Sequence, residues 1–103
     1  MKILTENLSK IIQICQKFHV THLWVFGSIL TQRFSPESDI DILVEFDKSK
    51  IKLEDRADNF FDFIYSLEGL LKRKIDLTEY SAIKNKYFKK EVDNTKMLLW
   101  TAY

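Results

Sequence analysis

FGSILTQRFSPESDIDILVEF, residues 26–46, holds one of the chain's two glycines, its only proline and a pair of acids two residues apart. Its second half alternates. Ile40, Ile42, Val44 and Phe46 fall on one side, and Asp39, Asp41, Leu43 and Glu45 on the other, which is the period of a strand with one face in a core. The alternation predicts a strand over residues 39–46 that carries two carboxylates at its head. Ser35 to Ser38 reads as a turn around Pro36, and Ser28 to Phe34 as a short helix. Ahead of them, THLWVF at 21–26 is rich in β-formers and runs straight into Gly27, so it reads as the preceding strand.

Outward from this stretch the pattern continues. Leu8, Ile11, Ile12, Cys15 and Phe18 recur at helical spacing and predict a helix over 5–18, with Thr5 as a candidate cap. Asp47 to Lys52 is a charged loop. Leu53, Ala57, Phe60, Ile64, Leu67 and Leu71 form one stripe of a helix over 53–72. Gly69 lies inside that helix at some cost, or marks its end. KIDLTE at 74–79 reads as a third strand, and residues 83–101 as a last helix. The expected order is α-β-α-β-α-β-α, a mixed α/β (α+β) fold with a small sheet of about three strands flanked by helices.

The chain has 103 residues, the size of a single domain over 1–103, with 46% hydrophobic and 30% charged residues. That composition argues against disorder. A net charge of +1 supplies no basic field, so no nucleic-acid partner is expected. Cys15, the lone cysteine, sits among apolar residues and excludes a disulfide framework. No run approaches the ~20 apolar residues of a membrane span, and acids and amides interrupt any signal core. A cytoplasmic protein is the expectation.

Asp39 and Asp41 share a strand face, so their α-carbons stand ~6.5–7 Å apart. Two carboxylates at that separation repel by ~2 kcal/mol at an effective dielectric near 20. A cation offsets this most simply. Hard oxygen ligands without nearby sulfur or imidazole favour magnesium or manganese over zinc. If the strand carrying Asp76 lies beside the first, three carboxylates converge. Such a trio can hold two ions ~3.5–4 Å apart, the clamp used for in-line phosphoryl displacement. The bland alternative is a solvated strand edge and a surface acid. Gly27-Ser28, at a strand end before a short helix, offers backbone amides and a hydroxyl to a phosphate. Alone the pair is an ordinary turn, and no Walker loop follows.

Together, FGS at 26–28, a ten-residue spacer and DID at 39–41 resemble the minimal nucleotidyltransferase family of the DNA polymerase β superfamily. KIDLTE at 74–79 resembles that family's third-acid strand. The resemblance implies a nucleotidyltransferase fold, ATP as donor and two Mg2+ ions. Gly27 and Ser28 would bind the triphosphate. Asp39, Asp41 and Asp76 would be the catalytic acids and metal ligands, with Asp76 also helping to activate the acceptor hydroxyl. The arginine that some members carry soon after Gly-Ser is absent here. Arg33, or Lys72, Arg73 and Lys74, would have to reach phosphates in its place, or else are solvated charges.

Stand-alone members resemble the antitoxin half of HEPN–MNT toxin–antitoxin pairs, which implies transfer of AMP to a tyrosine of a HEPN toxin. Two alternatives stand beside it. One is a binding module that masks its toxin through an apolar surface around Phe61, Phe63 and Leu99. The other is transfer to a small molecule, for which the chain lacks the extra acceptor domain. Phe60, Phe61, Phe63, Tyr65 and residues 97–100 exceed one core stripe and are compatible with a partner surface or an oligomer. His19 and His22, at a helix end running into a strand, are not expected to converge on a metal. Glu45, ~13 Å beyond Asp41 along the strand, and Asp47 read as solvated strand-end acids.

Overall fold

The computed structural model describes residues 2–31, 35 and 37–103, with the side chain of residue 28 also outside the description. The chain runs through α1 (Lys2–Glu6), α2 (Leu8–Lys17), β1 (Val20–Phe26), a 3-10 turn at Gly27–Leu30, β2 (Ile40–Phe46), α3 (Arg56–Leu71), β3 (Ile75–Glu79), α4 (Lys86–Thr95) and β4 (Met97–Thr101). The four strands form one mixed sheet in the order β3-β2-β1-β4. β1 pairs antiparallel with β2 and β4, and β2 pairs parallel with β3 across the α3 crossover.

Alternation sorts the side chains into two layers. Leu23 and Val25 of β1 and Ile40, Ile42 and Val44 of β2 point into the main core, where Ile11 and Cys15 of α2 and Phe63, Leu67 and Leu71 of α3 meet them. Phe63 is fully buried, with its ring edge-on to Phe18 and Phe46. Burial pushes the Cys15 thiol up to about 12. The Asn59 amide donates to the Phe18 carbonyl and caps the end of α2 from α3. On the opposite face Phe88 of α4 packs against Phe26, Lys96 at the helix end lies over Trp24, and Val92 of α4 is buried.

Tyr80, in the turn after β3, fastens α4 to the sheet. Its hydroxyl donates to Asp93 at 2.6 Å, and its ring lies 5.1 Å from that of Trp24. Tyr80, then Lys96 and Lys89, hold the Asp93 carboxyl well below its ordinary range. Among the described residues no helix is long and apolar enough to cross a membrane.

Several expectations need correction. The last helix stops at Thr95, and residues 97–101 form an edge strand on β1, so the sheet has four strands. The first helix is broken at Asn7, whose amide turns back to the Ile3 carbonyl. The α3 segment opens as a 3-10 turn at Leu53–Asp55, and Leu53 is 75% exposed rather than on the buried stripe. Phe63 belongs to the core and lies on no partner surface. Of the short helix expected after Gly27, the Gly27–Leu30 turn is seen, and residues 32–34 lie outside the described residues.

Candidate functional site

β1 ends at Phe26 because the next residue reverses the chain. Gly27 sits at φ +77°, a left-handed conformation that residues with a side chain disfavour. A second constraint acts at the same position. The space a Cβ would fill is held by the Asp41 carboxylate. Gly27 is therefore required twice, once by the turn and once by the acid packed against it. Asp41 is half-buried on β2, directly across from Phe26 on β1 and from Asp76 on β3. Residues opposite one another in a ladder share a face, so Asp41 and Asp76 project from the same side of the sheet.

Asp39 stands just before β2 and is exposed, as is Asp76. Among the described residues, no three acids, histidines or cysteines are gathered closely enough to grip an ion as they stand.

The approach to the acids is braced from the side. Arg73 donates to the Ser38 carbonyl at 2.6 Å and to the Ser35 carbonyl, tying the loop ahead of Asp39 to the end of α3. Ile40 N–H donates to the Lys74 carbonyl, and Ile75 N–H to Glu68, which fixes where β3 starts. Arg73, for which the sequence left open a phosphate contact or a solvated charge, acts here as a brace; nothing in its sequence setting signals that role. Lys72 is the left-handed cap of α3 and is exposed. Arg33 lies outside the described residues.

Glu45 is a latch, not a solvated acid. It accepts from Ser81 N–H at 2.7 Å and so holds the turn that carries Tyr80. Asp47 caps the turn after β2 by accepting from Ser49, which draws its carboxyl below the ordinary range. His19 and His22 do not converge. The His19 carbonyl receives Asp47 N–H, while the His22 ring stacks on Trp24.

A cavity of about 610 Å³ opens beside Gly27, between the Gly27–Leu30 turn and α4. Phe26, Leu30, Phe88 and Val92 form its apolar walls, with Thr31, Glu91 and Thr95 beside them. These α4 residues fall in the last helix expected from the sequence, but nothing in the sequence shows that one face of it meets the Gly27 turn.

Residues 9–102 match the family described as Polymerase beta, Nucleotidyltransferase. A Methanocaldococcus jannaschii protein, for which protein adenylyltransferase activity is suggested, is 38% identical over 76% of this chain and 74% of its own length. The protein adenylyltransferase MntA of Thermococcus cleftensis is 32% identical over 71% of this chain and 69% of its own. The fold is similar to that of a candidate minimal nucleotidyltransferase, with a TM-score of 0.75 at 20% identity, covering 93% of this chain and 92% of that one. It is also similar to a Shewanella oneidensis chain from the complex of a tri-AMPylated HEPN toxin with its MNT antitoxin, with a TM-score of 0.64 at 20% identity, covering 95% and 72% of the two chains.

Proposed function

The chain belongs to the polymerase beta nucleotidyltransferase family, and we propose that it moves AMP from ATP to a hydroxyl of a partner protein, a tyrosine of a HEPN-type toxin. One observation carries this reading. Gly27, held in a left-handed turn, lies against the Asp41 carboxylate, and Asp76 stands opposite Asp41 on the next strand. Further support comes from the adenylyltransferase relative and from the tri-AMPylated toxin in the similar complex. A buried, unpaired thiol fits a cytoplasmic setting.

Magnesium suits these residues. The donors are hard carboxylate oxygens, and the missing side chain at Gly27 leaves room for the Asp41 carboxylate. Asp39, Asp41 and Asp76 would hold two ions. Bound magnesium supplies charge neutralisation at the phosphates and eases deprotonation of the acceptor hydroxyl. The amides of Gly27 and Ser28 would hold the triphosphate. The acceptor oxygen bonds the α-phosphorus as the bond from that phosphorus to its bridging oxygen breaks. Pyrophosphate leaves, and Asp76 takes the hydroxyl proton.

A second reading, masking without chemistry, draws on the exposed Phe61, Met97 and Leu98. The two readings separate on Asp39→Asn with Asp41→Asn, tested with the partner toxin, ATP and magnesium. The enzyme reading expects the wild type to add ~329 Da per transferred AMP, and the double variant to add none while losing growth rescue. Full rescue by the double variant, at matched expression, with no mass gain on the toxin and a native circular dichroism spectrum, would establish the mask.

A further inference from the structure

We infer that Arg73 is a positioning residue for Asp39: it fixes the backbone on which that exposed acid stands, and so sets how firmly the acid can grip a divalent ion. The inference rests on the metal-dependent nucleotidyl-transfer reading above and adds to it the residue that holds the outermost acid in place.

Asp39 and Asp41 are held differently. Asp41 is half-buried, lies in both ladders of β2, opposite Phe26 and Asp76, and packs against Gly27. Asp39 is exposed and stands beyond both ladders. The pairing with β1 ends at Asp41, and that with β3 begins at Ile40. An acid just outside a strand has backbone freedom to lose on gripping an ion, which weakens the grip.

That freedom is removed from both sides. The Ser38 carbonyl and the Asp39 N–H belong to one planar peptide group, and Arg73 donates to this carbonyl at 2.6 Å. The next peptide group, between Asp39 and Ile40, is held by the Ile40 N–H, which donates to the Lys74 carbonyl at 2.9 Å. Both backbone dihedrals of Asp39 lie between these two pinned planes. The pins come from consecutive residues, and Asp76 stands on the same short run, RKID. The guanidinium nitrogen that reaches Ser38 also donates to the Ser35 carbonyl. Between the two serines the turn is closed on itself: Ser38 N–H donates to the Ser35 carbonyl at 3.0 Å, and Ser35 N–H to the Ser38 hydroxyl at 3.1 Å. Arg73 therefore grips a closed turn. Its bonds are charge-assisted and half-buried. Lysine carries the same charge without the planar fork that directs it.

The test is manganese binding to the nucleotide-free full chain, followed as loss of the free ion's paramagnetic resonance signal, with circular dichroism checking the fold of each variant. Arg73→Lys should weaken manganese about tenfold, the loss expected when the support of a metal ligand is removed. Asp39→Asn should weaken it at least as much. In the variant carrying both changes, the Arg73 substitution should add less than about twofold, because the acid it positions is already disabled. Inorganic triphosphate, titrated by calorimetry, should bind Arg73→Lys and the wild type alike. Unchanged manganese affinity in Arg73→Lys, or a full loss repeated in the Asp39→Asn background, would overturn the inference and leave the metal reading intact. A loss confined to triphosphate would make Arg73 a phosphate ligand and overturn it equally. Should Arg73→Lys lose its native spectrum, Ser38→Ala, which unlatches the turn with Arg73 in place, is read in its stead. Unchanged manganese affinity there overturns the inference. If the wild type holds manganese no better than Asp39→Asn with Asp41→Asn, the metal-dependent reading fails and the inference with it.

Discussion

Replacing Gly27 by alanine puts a methyl group into space held by the Asp41 carboxylate, at a backbone angle of +77° that alanine disfavours. The backbone term alone costs about 1–2 kcal/mol. Relief requires either the turn or the carboxylate to move. Gly27→Ala should therefore lower the urea midpoint and abolish AMP transfer, even at temperatures where circular dichroism shows the variant folded. At this scale the sequence was informative: the Gly-Ser pair, Asp39, Asp41 and Asp76 were all readable as candidates. What it could not carry was contact. That the glycine and the second acid touch depends on the antiparallel register pairing Phe26 with Asp41.

Among the elements, α3 keeps a weakness in its interior. Gly69 lies within Arg56–Leu71, exposed, with open space where a Cβ would stand. The helix runs past it and stops at Lys72 in the left-handed region. Gly69→Ala should raise stability by about 0.5–1 kcal/mol, read as a higher urea midpoint at unchanged slope and unchanged AMP transfer. The misread element is β4. MLLWT is a short apolar run, and periodicity cannot tell a buried helix turn from a strand at that length. What decides is the free edge of β1: the backbone groups of residues 22–25 need partners, and residues 97–101 supply them.

Across the whole molecule, the two faces of the sheet do different work. One packs α2 and α3 into the main core; the other carries the acids and lies under α4. The neighbouring phenylalanines of α3 divide accordingly, Phe63 at 0% exposure and Phe61 at 50%. Phe63→Ala should cost about 3–5 kcal/mol. Phe61→Ala should change stability by no more than about 0.5 kcal/mol. Urea denaturation of both variants checks this. If Phe61→Ala also weakens pull-down of the proposed toxin partner, the exposed side of α3 is part of the partner interface.

The sequence by itself determined the alternation of β2, the stripe of α3 from Phe60 onward and the glycine turn, and it offered the three acids as candidates. Each depends on a local period or on the conformational range of one residue. Tertiary structure decided the fourth strand, the burial of Phe63, the Arg73 brace on the Ser35–Ser38 loop and the cavity under α4. These depend on which segments pair across long stretches of chain. Pairing is set by the competition of all backbone donors and apolar faces for the same neighbours, and no local window of sequence contains that competition.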